Sequence, residues 1–191
     1  MPDPRIWSTR ANAITLLRLV AAPLLVLAIV SGATACAAAI FALAVATDLA
    51  DGWVARRYRE ASPLGGLVDH GVDALFVTAG CAALAFRGEL PPALPVAIAF
   101  AFGQYVFDSR PGPRLRGSSL GRWNGIAYFV AVGVPVVRDA LGLGFPPVHQ
   151  VRAFGWLLVV STLVSIADRL WHASLERPPR RPAEAAKIPE L

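Results

Sequence analysis

Apolar residues occupy six long runs in this chain, and turn-forming segments such as 88–92 and 142–147 separate several of them. A helix of about twenty apolar residues crosses a hydrocarbon core of roughly 30 Å. The pattern therefore predicts an all-α integral membrane protein with six transmembrane helices. The predicted spans are residues 13–30, 34–54, 66–86, 94–107, 125–137 and 154–170.

The composition agrees with a membrane location. Of the 191 residues, 55% are hydrophobic and 16% are charged, and the mean hydropathy is +0.54. A soluble domain of this length is ordinarily less apolar. We predict one six-helix membrane domain, residues 1–175, followed by a proline-rich, basic and disordered tail, residues 176–191.

The distribution of arginine and lysine predicts the orientation. Six crossings place both termini on one side, which carries Arg5, Arg10, Arg56, Arg57, Arg59, Arg110, Arg114, Arg116, Arg122, Arg177, Arg180, Arg181 and Lys187. The opposite side carries Arg87, Arg138 and Arg152. Because cytoplasmic loops are enriched in basic residues, we expect cytosolic termini and a bacterial cytoplasmic (inner) membrane location. This bias explains the net charge of +5 better than nucleic-acid binding does.

Four aspartates lie near the cytosolic ends of the second and third predicted spans. Asp48 and Asp51 are three residues apart and Asp69 and Asp73 are four apart, so each pair shares a helix face. Converging carboxylates repel one another unless a cation lies among them. Carboxylate oxygens suit Mg²⁺, Mn²⁺ or Ca²⁺. The alternative is that some of these acids are solvated or paired with the arginines that follow the second span.

The residues around these acids resemble a family signature. They read Asp48-Leu-Ala-Asp51-Gly52-Trp-Val-Ala55-Arg56, eight residues, Gly65, three residues, Asp69, three residues and Asp73. This is similar to the pattern of the CDP-alcohol phosphotransferases, and every specified position is matched. A weaker match, Asn12-Ala-Ile-Thr15-Leu-Leu-Arg18, resembles the opening of the family's first span. By motif, the resemblance covers roughly the first ninety residues.

The resemblance implies an enzyme of phospholipid biosynthesis. Such an enzyme transfers a phosphatidyl-type group from CDP-diacylglycerol to a small alcohol and releases CMP. The family shares one or two divalent ions, Mg²⁺ or Mn²⁺, among four aspartates in a cytosol-facing cavity, and its members are usually homodimers. Carried over, Asp48, Asp51 and Asp69 are metal ligands. Asp73 is both a ligand and the base that accepts the hydroxyl proton of the acceptor.

The resemblance also implies a binding site for the CDP-lipid. Gly52 and Ala55 leave room for the nucleotide, and the Arg56 guanidinium suits phosphate oxygens. Ser62 and Thr15 are further candidates for nucleotide contact. Ordinary alternatives remain for several of them: close helix packing for Gly52 and Ala55, and a hydroxyl satisfied within its own helix for Thr15.

The acceptor is less well defined by the sequence. Arg110, Arg114 and Arg116 lie between the fourth and fifth spans, where they can bind the phosphate of an acceptor or simply anionic lipid. Asn124, at the mouth of the fifth span, is either an acceptor contact or a helix cap.

The residues that follow the third and fourth aspartates do not identify a subgroup. Phosphatidylglycerophosphate synthases usually have proline and lysine there, and actinobacterial inositol-phosphate enzymes often have arginine after the fourth. This chain has His70 and Ala74. His70 is an alternative base, although it lies on a different helix face from its acidic neighbours.

Two other functions are compatible with parts of the pattern. One is the transfer of a phospho-headgroup from a soluble CDP-alcohol to a lipid acceptor, although enzymes of that kind are usually longer. The other is a small cation transporter, because acids in membrane spans also mark ion paths. Transporters more often place such acids near the midplane and contain repeats, and neither feature is found here.

Overall fold

The chain folds as a bundle of α-helices. The computed structural model describes residues 10–58, 63–108 and 119–175, and these ranges contain six helices and no strand. The helices are α1 (Arg10–Val30), α2 (Thr34–Tyr58), α3 (Pro63–Phe86), α4 (Ala93–Asp108), α5 (Ser119–Ala140) and α6 (Val148–Leu175). The predicted all-α fold is confirmed. The predicted tail, residues 176–191, lies outside the described residues.

Three of the helices are long and apolar enough to cross a membrane. These stretches are Val68–Phe86, Leu120–Ala140 and Val148–His172, in α3, α5 and α6. The other three helices carry shorter apolar stretches, Leu17–Val30, Thr34–Ala50 and Ala93–Val106. In α1 and α2 these stretches are parts of longer helices. In α4 the helix itself is short, because its 16 residues span only about 24 Å.

The helices extend beyond the apolar runs from which the spans were predicted. One case is α3, which begins at Pro63, three residues before the predicted span 66–86. Proline suits the first helical position, because its fixed φ angle is already helical and its missing N–H would be unpaired there. Hydropathy therefore located each helix but underestimated its length, since a helix continues wherever its polar side chains reach water.

The ends of α1, α3 and α5 share one capping geometry, at the end of the bundle opposite the aspartates. Gly32, Gly88 and Gly142 follow these helices with φ angles of 74°, 77° and 63°. At the first of them, the N–H of Gly32 donates to the carbonyl of Ile29, and the next N–H donates to that of Ala28. This pattern needs a left-handed residue, which glycine adopts without steric cost. The three helices therefore end in the same way.

Helix α1 packs against both α2 and α3 and so joins the two helices that carry the aspartates. Helix α3 also packs against α4 and α5, α2 packs against α5, and α6 covers α4 and α5. Large apolar side chains such as Leu27, Phe86 and Leu157 remain exposed on the outside of the bundle. An apolar exterior around a packed interior is what a lipid environment requires, so the structure indicates integration into a membrane.

A charge-neutral ionic cluster closes the end of the bundle opposite the aspartates. The buried Arg138 guanidinium lies 2.6 Å from Glu89 Oε2 and 2.6 Å from Asp139 Oδ1, and its Nη1 donates to the carbonyl of Pro146. Arg87 contacts the same two acids at 3.3 and 3.4 Å. The cluster connects the end of α5 to the α3–α4 and α5–α6 connections. In the sequence, these arginines were markers of membrane orientation only.

We expect Glu89→Gln to destabilise the protein. The Glu89 carboxylate forms ion pairs with Arg87 and with the buried Arg138. Loss of its charge should therefore lower the free energy of unfolding by about 1.5–3 kcal/mol. Thermal unfolding in detergent measures the change. The control is Asp168→Asn, because Asp168 forms an exposed pair with His172 whose loss should cost less than about 1 kcal/mol. Equal effects of the two substitutions would contradict the structural role of the cluster.

Candidate metal centre

Three aspartates from two helices converge on one arginine from a third. On α1, Arg18 Nη1 lies 2.6 Å from Asp48 Oδ1 of α2 and also contacts Asp73 Oδ1 of α3. Its Nη2 lies 2.5 Å from Asp69 Oδ1, also of α3. The expectation that the acidic faces of the second and third spans meet is therefore confirmed for these three residues.

Local helix geometry explains the convergence. Asp69 and Asp73 are one turn apart on α3, so their side chains lie one above the other on one face. Asp48 reaches the same place from α2, and Arg18 reaches both helices because α1 packs against each of them. Asp51 is one turn further along α2, where the structure describes the backbone but not the side chain.

The cluster is accessible on its acidic side and closed on its basic side. The Arg18 side chain has no exposed surface, whereas the side chains of Asp48, Asp69 and Asp73 are 37, 30 and 25% exposed. A solute can therefore approach the carboxylates but not the guanidinium. This asymmetry is what an ion-binding site needs and what a fully buried ion pair lacks.

The donor set fits a hard divalent cation. Asp48, Asp69 and Asp73 can each offer one carboxylate oxygen such that the three oxygens lie within 4.8 Å of one another. Three carboxylates and one guanidinium leave a formal charge of −2, which one divalent ion balances. Oxygen ligands of this kind suit Mg²⁺ or Mn²⁺. Among the residues that the structure describes, no histidine or cysteine joins this group.

The part that Arg18 plays was not predicted from the sequence. Arg18 is the last residue of the weak match in the first span, and that match assigned it no function. The available signal was its position, since an arginine inside an otherwise apolar span requires a partner. Because successive helices run in opposite directions, the first half of α1, the second half of α2 and the first half of α3 lie at the same end of the bundle. Arg18 and the aspartates occupy these halves, so the acids were the obvious partners.

His70 lies beside the cluster in sequence but is oriented towards α4. Its Nδ1 is 2.8 Å from the carbonyl oxygen of Gly66, and its ring stacks on that of Tyr105 with centroids 5.9 Å apart. The expectation that His70 occupies a different helix face from Asp69 and Asp73 is confirmed. Its orientation does not support a role as base.

Asn124 is buried inside the bundle on α5, past the first turn of the helix, so the alternative of a helix cap is wrong. Its Oδ1 accepts a hydrogen bond of 2.6 Å from Ser161 Oγ on α6. One turn further along α5, the hydroxyls of Tyr128 and Thr162 are 2.6 Å apart. These polar contacts join α5 to α6. Asn124 Nδ2 is buried and has no hydrogen-bond partner among the described residues.

The remaining predicted site residues divide into two groups. Thr15 lies on α1, and Gly52, Ala55 and Arg56 lie on α2, where the structure describes only the backbone. One turn separates Thr15 from Arg18, so its helix position is close to the cluster. The other group lies outside the described ranges and comprises Ser62, Arg110, Arg114 and Arg116.

Comparison with known proteins identifies similar sequences. A family model described as CDP-alcohol phosphatidyltransferase matches residues 8–167. Two curated relatives, from Mycobacterium tuberculosis strains CDC 1551 / Oshkosh and ATCC 25618 / H37Rv, are both described as "Probable phosphatidylglycerophosphate synthase". Each is 40% identical over 87 residues, covering 42% of this chain and 42% of the relative. The chain thus matches about two fifths of the length of these curated relatives.

We expect the purified protein to bind Mn²⁺ and Asp69→Asn to weaken that binding at least about tenfold. The substitution removes one charge and one oxygen ligand from the cluster. Titration of Mn²⁺, followed by the paramagnetic resonance of the free ion, measures the dissociation constant. Asp168→Asn removes an exposed aspartate outside the cluster and should leave the constant unchanged. The same affinity in both variants would show that the ion binds elsewhere.

Proposed function

Because this chain belongs to the CDP-alcohol phosphatidyltransferase family, we propose that it transfers a phosphatidyl group from CDP-diacylglycerol to a small alcohol and releases CMP. The family consists of transferases, and the resemblance seen in the sequence is confirmed at that level. The observation that carries the proposal is the convergence of Asp48, Asp69 and Asp73 at one accessible end of a membrane bundle.

The chemistry of the substrate explains the need for this cluster. The pyrophosphate of a CDP-lipid is negatively charged, and more charge develops on the leaving oxygen as CMP departs. One or two divalent ions, when bound, neutralise that charge. In this proposal Asp48, Asp51 and Asp69 hold Mg²⁺ or Mn²⁺ and keep it at a fixed depth in the bundle. The placement of Asp48 and Asp51 one turn apart on α2 is consistent with a shared site.

Asp73 is proposed as the general base as well as a metal ligand. Its side chain is 25% exposed, so an acceptor hydroxyl can reach it from outside the bundle. It lies one turn deeper along α3 than Asp69. A carboxylate in that position accepts the proton as the acceptor oxygen attacks phosphorus, and general base catalysis by a positioned side chain typically contributes roughly 10²–10⁴-fold to a rate.

The nucleotide is proposed to bind between α1 and α2. Gly52 and Ala55 follow Asp51 along α2, and their lack of bulk leaves room for the base and ribose. Arg56 comes next and suits the phosphate oxygens. Thr15 on α1 lies one turn from Arg18, near the same depth. Ser62, in the connection before α3, completes the proposed set.

An apolar groove between α2 and α5 supports a lipid substrate. Its volume is about 540 Å³, and it is lined by Phe41, Val45, Ile126, Phe129, Val130, Gly133, Val134, Val137, Arg138, Leu143, Phe145 and Pro146. Val45 is one turn from Asp48 on α2, so one end of the groove lies beside the acidic cluster. The groove follows α5 from Ile126 to Arg138, a distance of about 18 Å. A diacylglycerol chain attached to a nucleotide at the cluster can lie along it.

A phosphorylated small alcohol is the proposed acceptor. The relatives from M. tuberculosis are named as phosphatidylglycerophosphate synthases, which favours glycerol phosphate. Arg110, Arg114 and Arg116 provide cations for an acceptor phosphate in the connection between α4 and α5. The unpaired Nδ2 of buried Asn124 is a further candidate contact for a hydroxyl oxygen.

The proposal includes a topology and an assembly. The six helices all cross the membrane, both termini and the metal centre face the cytosol, and the protein lies in a bacterial cytoplasmic membrane as a homodimer. Residues 1–175 form the catalytic domain, with 176–191 as a basic tail. Clustering of the acids at one end of the bundle supports a site that opens to one side of the membrane.

The two alternatives have less support. Transfer from a soluble CDP-alcohol to a lipid acceptor uses the same cluster, and the names of the curated relatives do not favour it. A cation transporter is at odds with membership of a transferase family. It is also at odds with carboxylates gathered at one end of the helices rather than along a path through the bundle.

The proposed reaction is tested by following CMP release from CDP-diacylglycerol by the purified protein with Mg²⁺ or Mn²⁺. Glycerol phosphate, inositol phosphate, glycerol and inositol form the panel of acceptors. We expect CMP release that depends on both the metal and one acceptor, with a chelator abolishing it. CMP release from CDP-choline with diacylglycerol, and none from CDP-diacylglycerol, would establish the alternative transferase instead.

The role of Asp73 is tested by Asp73→Asn. Asparagine keeps the shape and one ligating oxygen but cannot accept the proton, so we expect transfer to fall at least about a hundredfold. CDP-lipid binding, measured separately, should stay within a few-fold of wild type. Loss of lipid binding together with activity would make Asp73 mainly a metal ligand. Transfer near the wild-type rate would place the base elsewhere.

A further inference from the structure

We propose that Arg18 is a positioning residue for the metal centre. Its guanidinium holds one oxygen of each of three aspartates, so that the other oxygen of each is presented to the metal. The inference rests on the proposed function. Among the described contacts, each of the three aspartates, Asp48, Asp69 and Asp73, meets the guanidinium through one carboxylate oxygen. A carboxylate has two oxygens, so it can serve the guanidinium and a metal ion at the same time.

The shape of the arginine side chain fits this role. Nη1 contacts Asp48 on α2 and Asp73 on α3, and Nη2 contacts Asp69 on α3. The guanidinium is planar and carries its donors in fixed directions, so it sets the relative orientation of the carboxylates that it binds. A lysine ammonium carries the same charge, but it is a compact point charge without a planar fork.

The location of Arg18 separates this role from substrate binding. Its side chain is fully buried, on the closed side of the cluster, while the aspartates are exposed on the other side. An arginine that bound a phosphate of the substrate would have to reach the open side. Arg18 therefore acts on the reaction through the carboxylates, and the helices α2 and α3 are joined through it.

The charge of Arg18 has two opposing consequences. It reduces the repulsion among three carboxylates, which lets them stand together before an ion arrives. It also repels a divalent cation that binds to the same carboxylates. Removal of the positive charge should therefore strengthen metal binding. Removal of the planar guanidinium, with its donors in fixed directions, should misalign the carboxylate ligands and slow the reaction. A residue needed only for folding would not produce opposite changes in these two quantities.

The test compares Arg18→Met and Arg18→Lys with wild type, using the Mn²⁺ dissociation constant together with kcat and KM for CMP release. For Arg18→Met we expect Mn²⁺ binding at least about tenfold tighter and kcat at least about tenfold lower. For Arg18→Lys we expect Mn²⁺ binding within about threefold of wild type, with kcat still at least about tenfold lower. Arg152→Met, at the other end of the bundle, is the matched control and should change neither quantity.

Several results would overturn the inference. One is weaker Mn²⁺ binding in Arg18→Met, and another is wild-type kcat in either variant. If Arg18→Met does not fold, Arg18→Lys remains decisive, because a normal kcat with lysine would show that charge alone is sufficient. Failure of the wild-type protein to bind Mn²⁺ or to release CMP would instead refute the proposed function, and it is seen before any variant is made.

Discussion

The ion contacts between Arg18 and three aspartates are the constraint on which the acidic end of the bundle depends. They bring a buried cation of α1 against carboxylates of α2 and α3, and so connect these three helices at that end. Two like charges 5 Å apart repel by about 3 kcal/mol at an effective dielectric constant of 20. Three clustered carboxylates thus need a positive partner, and the close packing of α1 against both helices provides one.

The two ends of the bundle use charge differently. At the end opposite the aspartates, Arg87 and Arg138 balance Glu89 and Asp139, and the Glu89–Arg138 pair is buried. At the acidic end, the described carboxylates exceed the guanidinium by two charges and stay partly exposed. A neutral and closed cluster stabilises a fold. An open cluster with excess negative charge is suited to bind a cation, which is why we place the chemistry there.

Much of the fold and the centre of the site could be predicted from the sequence. Apolar runs located all six helices, and the one-turn spacings of the aspartates placed them on common faces. The spacing of charged residues could not reveal that Arg18 lies among them, because this depends on how α1 packs against α2 and α3. Asn124 was judged from its nearness to a helix start, although burial against Ser161 of α6 decides its environment. Hydropathy predicts the apolar span but not how far the helix continues beyond it, as the start of α3 at Pro63 shows.

The most direct test of this account is the position of Mn²⁺ in crystals of the protein, found from its anomalous scattering. The account predicts a peak within about 2.0–2.4 Å of carboxylate oxygens from Asp48, Asp69 and Asp73, with the Arg18 guanidinium on the opposite side of the same carboxylates. A peak at another place in the bundle, or a guanidinium turned away from the aspartates when the ion is bound, would contradict it.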